Sequence, residues 1–128
     1  MKYLNGTRQL KHTMKASDLI TVKWFVDASF AVHPDFKSHT GGTMTFGQGA
    51  TQSHCRKQKL NTRSSTEAEL VGADDVATMI FWTKHFLDSQ GYEVKQNILF
   101  QDNKSTILLI ENGQKSAGKR IKWKRAIL

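Results

Sequence analysis

The chain has 128 residues, of which one is proline and one is cysteine, a size that fits a single domain with one core. No stretch approaches the ~20 apolar residues of a membrane span, and Met1 to Gly6 has no signal-like apolar run. Cys55 alone excludes an internal disulfide framework and a cysteine-rich zinc site, while 19 Lys and Arg against 11 Asp and Glu leave a charge of +8.

The expectation is a monomer in a reducing, intracellular compartment, cytoplasmic or nuclear, with no membrane partner. Residues 1–16 are polar and basic without a period and read as a linker. From Ile20 the chain alternates: Ile20, Val22, Trp24 and Val26 face one way, and Thr21, Lys23, Phe25 and Asp27 the other. That period of two predicts a strand with Asp27 near its end. Residues 33–42, with Pro34, Asp35, Ser38 and Gly41-Gly42, read as turn chemistry. Thr43 to Phe46 predicts a second strand, Gly47 to Gly49 a tight connection, and residues 50–58 a polar edge strand.

The period then changes. Ser65 or Thr66 caps a helix whose stripe runs through Leu70, Ala73, Ala77 and Ile80 and which stops at Gly91. Ile98 to Phe100 predicts a short strand ending at Asp102, and Ser105 to Glu111 a second helix closed by Asn112-Gly113. The order β-β-β-α-β-α predicts an α/β domain over residues 17–120, with a mixed sheet and helices packed on it, followed by a basic tail at 121–128.

Charge is segregated along this order. Residues 53–63 hold Arg56, Lys57, Lys59 and Arg63 without an acid, and 113–128 hold six bases without an acid. Residues 64–93 hold six acids against Lys84 alone. Basic edges around an acidic centre suit a polyanion. Three acids stand out by position: Asp27 and Asp102 at strand ends, and Glu69 early in the long helix. Carboxylates that share one point repel, so they hold a raised pKa or gather hard divalent cations such as Mg²⁺. A strand-end Asp is also an ordinary turn former or cap, so position alone leaves both readings open.

Thr21 to Phe30, Lys37-Ser38-His39-Thr40-Gly41-Gly42, Ser64-Ser65-Thr66-Glu67-Ala68-Glu69-Leu70 and Asp102-Asn103-Lys104-Ser105 occur in this order. Together they resemble the ribonuclease H domain of copia-type retrotransposon polyproteins. The Tyr3 to Thr7 opening resembles the segment that joins reverse transcriptase to that domain. The resemblance covers roughly residues 2–120. It implies a ribonuclease H-like fold, a five-stranded mixed sheet with helices on both faces. It further implies an endonuclease that hydrolyses the RNA strand of an RNA–DNA hybrid with two Mg²⁺ or Mn²⁺ ions. Asp27, Glu69 and Asp102 would be the catalytic metal ligands, with Glu67 the alternative to Glu69. An upstream reverse transcriptase would be a partner within a polyprotein.

Further residues fit contact with the hybrid: Arg56, Lys57 and Lys59 toward phosphates, and Ser29, Asn103 and Ser105 toward a ribose 2′-OH. No Asp, Glu or His follows Glu111, where the family carries a fourth acidic ligand on a last helix. The resemblance therefore implies a domain truncated at its C-terminus. The alternative to an enzyme is a catalytically inactive retrotransposon remnant that folds and binds nucleic acid.

Overall fold

The computed structural model describes residues 2–18, 20–113 and 122–125. A short helix α1 (Lys2–Gly6) and a two-residue strand β1 (Lys15–Ala16) lead into β2 (Thr21–Ser29). Then come β3 (His39–Thr45), β4 (Gly47–Gln48), β5 (Gln52–Lys57), the long helix α2 (Ser65–Ser89), β6 (Gln96–Gln101), α3 (Lys104–Gly113) and β7 (Lys122–Arg125). β5-β3-β2-β6-β7 form one mixed sheet, antiparallel on the β5 side of β2 and parallel on the β6 side. β1 and β4 form a separate antiparallel ladder. The described residues therefore hold seven strands in two sheets, rather than five in one. The two additional strands are two residues long, too short to show a period.

β2 behaves as its alternation predicts. Val22, Trp24 and Val26 are buried and pack with Met44, Ala73, Val76, Ile80, Val94 and Leu99 into the core. α2 supplies three of those residues, and Ile110 of α3 packs against the same cluster. α2 and α3 thus cover one face of the sheet. On the opposite face Phe25 stacks on Phe100 at 4.7 Å and remains 40% exposed, so the expectation of helices on both faces is not met among the described residues.

Two local readings change. Residues 39–42, expected as a turn, belong to β3: Gly41 and Gly42 pair with Asp27 and Val26 on one side and with Cys55 and His54 on the other. The reason is packing, because a Cβ on Gly42 would stand 3.0 Å from Val76 Cγ2. Here a glycine in a strand marks the close approach of a helix. The N-cap of α2 is Ser64 rather than Ser65 or Thr66, and its side chain accepts from the Glu67 amide. The C-terminus ends as predicted, with Gly91 at φ 86° just past the Gln90 cap. The stretch expected as a basic tail contributes Lys122–Arg125 to the sheet as a parallel partner of β6.

Candidate metal centre

The site follows from strand register. β2 and β6 run parallel with Phe25 opposite Phe100. Two residues further on, Asp27 and Asp102 therefore come level at the carboxyl ends of neighbouring strands, where α/β sheets present their crevice. β6 pairs with β2 only as far as Phe25. Beyond that point the Ala28 amide has no strand partner on this side, and it donates to Glu69 Oε1 at 3.2 Å. Glu69, in the second turn of α2, is thereby drawn over the strand end. Asp27, Glu69 and Asp102 each offer a carboxylate oxygen, and these oxygens lie within 4.8 Å of one another.

Glu69 is 6% exposed, whereas Asp27 and Asp102 are open to solvent. Burial pushes the Glu69 carboxyl up to about 7, and the charges of Asp27 and Asp102 push the same way. Hydrogen bonds from Gln101 and the Ala28 amide pull it back in part. Among the described residues no Lys or Arg pairs with any of the three; the ion pairs join Arg56 to Asp75, Lys57 to Asp35 and Lys84 to Asp88. Clustered oxygen donors without an internal counter-charge match what Mg²⁺ and Mn²⁺ take as ligands. The residues present fit a divalent ion.

Glu67 stands apart from this cluster. Its carboxylate accepts the Arg63 amide at 2.6 Å while its own amide donates to Ser64. That is a capping role at the helix start, favoured by the helix dipole.

The residues proposed to contact nucleic acid scatter over several settings. Ser29 lies two residues past Asp27 on the same face of β2 and is exposed. Lys57 is ion-paired to Asp35 at 2.7 Å. Arg56 points to the helix side and pairs with Asp75 of α2. Lys59 is exposed beside a groove lined by Arg56, Leu60 and Asp74. Asn103 caps α3, its Oδ1 accepting the Thr106 amide at 3.1 Å. Ser105 is exposed on the first turn of α3.

Two supporting residues have no sequence signal. Gln101, fully buried, donates from Nε2 to Glu69 Oε2 at 3.1 Å and accepts the Asn103 amide on Oε1 at 3.0 Å. It thus ties Glu69 to the turn that carries Asp102. Gln58, 1% exposed, donates to Thr40 Oγ1 and to the Ala68 carbonyl, each at 2.9 Å. Through it, the turn of α2 that bears Glu69 is fastened to β3. Neither glutamine carries a charge or falls on a periodic stripe, so only their hydrogen bonds reveal them.

Fold and site together define an α/β domain with a mixed sheet and three carboxylates at the ends of two parallel strands. No family profile matches the chain. Over 113 residues, 88% of its length, it is 34% identical to the retrovirus-related Pol polyprotein from transposon TNT 1-94 of Nicotiana tabacum. The chain spans about 8% of that polyprotein. It is thus homologous to one stretch of a transposon-borne Pol polyprotein.

Proposed function

We propose that this chain is a ribonuclease H-type domain that binds an RNA–DNA hybrid and hydrolyses its RNA strand. The observation that carries the reading is the convergence of Asp27, Glu69 and Asp102 to within 4.8 Å. Its support is their arrangement at the ends of β2 and β6, the order of motifs along the chain, and similarity to a transposon Pol polyprotein. Asp27, Glu69 and Asp102 would hold Mg²⁺ or Mn²⁺. When bound, a pair of such ions supplies a hydroxide at neutral pH and stabilises the leaving oxygen of a phosphodiester.

The chain's own part is to place those oxygens before substrate arrives. Asp27 and Asp102 sit at the ends of paired strands, and Glu69 is braced by Ala28 and Gln101. Ser29, exposed beside Asp27, is the nearest hydroxyl on the strand for a ribose 2′-OH, the group that separates RNA from DNA. The test is cleavage of labelled RNA in a hybrid with Mg²⁺ and with Mn²⁺, against the same RNA in an RNA duplex. Cleavage confined to the hybrid is expected, and Asp27→Asn or Asp102→Asn should lower it by at least ~10²-fold, as loss of an electrostatic catalytic group does. Asp74→Asn, on the same helix but outside the cluster, should leave it unchanged. No cleavage with either metal by a folded chain overturns the enzyme in favour of a binding remnant.

A further inference from the structure

At the same end of the sheet as Asp27, but on β3 and β5, lies a second group of chemistry-bearing side chains. His39, the first residue of β3, pairs with Lys57 of β5 and Ser29 of β2. Its ring is engaged on both nitrogens: Nδ1 lies 2.9 Å from His33 Nε2, and Nε2 lies 2.8 Å from Cys55 Sγ. His33, His39 and Cys55 thus form one line of hydrogen bonds across a loop and two strands.

The loop that delivers His33 is tightly folded. The Phe36 amide donates to the His33 carbonyl at 2.8 Å, and the His33 amide to the Lys37 carbonyl at 3.2 Å. The Ala31 amide donates to Ser38 Oγ at 3.1 Å. Ser38 is fully buried and bonded to Thr62 at 2.7 Å, which anchors the loop's far end. Ala31 and Phe36 both take positive φ, 52° and 58°, held there by these bonds. The imidazole of His33 is therefore carried to His39 by a fixed backbone.

Proton accounting shows what the line can do. When His33 Nε2 accepts, the His39 proton sits on Nδ1 and its Nε2 presents a lone pair to the thiol. After the thiol proton passes to Nε2, His39 is an imidazolium donating to both the thiolate and His33. No hydrogen bond is lost in either state. This is the arrangement of nucleophile, base and orienting group by which thiols are activated. Lys57, the nearest cation by register, is already paired with Asp35. β5 is the sheet edge and Cys55 is exposed, so the sulfur is open to a reagent.

We propose that Cys55 is a thiol-modification site for low-molecular-weight disulfides of the glutathione type, with His39 as its base and His33 as a positioning residue. The Cys55 proton moves to His39 Nε2, and the thiolate attacks one sulfur of the disulfide. A new S–S bond forms at Cys55 as the reagent's own S–S bond breaks. The departing thiolate takes the proton back from His39. The disulfide is the oxidant, and it leaves as one mixed disulfide and one free thiol. Cys55 shares a register row with Gly41 and Asp27, two strands away, but the thiol step uses none of the three carboxylates and does not rest on hybrid cleavage.

The chain has one cysteine, so every adduct reports Cys55. The full chain is mixed with glutathione disulfide at about pH 6.5, where an ordinary cysteine is about 1% thiolate, and the adduct is followed by intact mass. The same reaction in denaturing urea gives the rate of the unstructured thiol. The folded chain should react at least ~10-fold faster, as thiols beside a His⁺ do. His39→Phe should remove that advantage. His33→Leu should remove most of it, while His33→Gln, which still presents an acceptor to Nδ1–H, should keep it. Equal rates in folded and unfolded chains overturn the proposal, and so does an acceleration that survives His39→Phe or is indifferent to the choice at His33. Should His39→Phe fail to fold, the urea comparison and the two His33 variants decide the matter.

Discussion

Replacing Glu69 by Gln should stabilise the metal-free protein at pH 8 and not at pH 5. Burial and two neighbouring carboxylates hold Glu69 at about 7 against an ordinary value of 4.5. Below about pH 4.5 it is protonated both folded and unfolded, and no penalty arises. Between 4.5 and 7 the unfolded chain gives up the proton and the folded chain keeps it, so stability falls as pH rises. Above 7 the full penalty is present, about 3 kcal/mol. Glutamine removes the charge but cannot satisfy both of its neighbours. Ala28 N–H and Gln101 Nε2 each donate to a carboxylate oxygen, and one of them would now face an amide NH₂. That costs about 1 kcal/mol. The net gain at pH 8 is about 2 kcal/mol, or roughly 8 °C in melting temperature for a chain of this size. Near pH 5 the lost bond cancels what remains of the penalty. Circular-dichroism melts in a chelator at the two pH values measure both numbers. Millimolar Mg²⁺ should raise the wild-type melting temperature more at pH 8 than at pH 5, and should do little for Glu69→Gln. A variant less stable than wild type by the same amount at both pH values would refute the argument, because Glu69 would then not be a destabilised charge.

Other perturbations separate the parts of the structure. Asp27→Asn and Asp102→Asn should each cut the Mg²⁺-induced rise in melting temperature, which preferential binding to the folded state produces, whereas Asp74→Asn should preserve it. Gly42→Ala should destabilise the chain by about 1–3 kcal/mol in urea titrations, since the new methyl meets Val76 at 3.0 Å. Gly72→Ala, whose added Cβ meets nothing closer than Ala28 Cβ at 3.4 Å, should instead gain about 0.5–1 kcal/mol from helix propensity. Gln58→Leu should cost about 1–3 kcal/mol by freeing Thr40 and the Ala68 carbonyl, and should also weaken Mg²⁺ binding through Glu69 next along the helix. In hybrid-binding titrations, Lys59→Ala should lower the log–log salt slope by about 1, while Arg56→Ala should leave it unchanged, its charge being matched by Asp75.

What the sequence makes legible at the site is chemistry that stands against its local pattern. Asp27 interrupts a strand whose other face is Val22, Trp24 and Val26, and Asp102 closes the apolar run of β6. The α2 stripe announces the long helix in the same way, and Gly91 its end. The illegible parts are decided by partners distant in sequence. Gly41-Gly42 is a turn by local chemistry and a strand in the fold, because α2 must come close at Gly42. β1 and β4 have two residues each, and the strand at Lys122–Arg125 has four, Trp123 among three bases, so their pairing leaves no period to read. Arg56 counts toward a basic edge in any sum of charges, yet Asp75 on α2 engages it, and a sum cannot distinguish a paired base from a free one. Gln58 and Gln101 show no pattern at all. They are nonetheless what fixes Glu69, since one ties its helix turn to β3 and the other ties its carboxylate to the end of β6. A substitution at Asp27 or Asp102 removes a ligand atom, whereas one at either glutamine leaves all three carboxylates in the chain and loosens their meeting. A chain read only for its acids would count such a variant as intact. Metal affinity, measured on Gln101→Leu beside Asp102→Asn, should show both to be impaired.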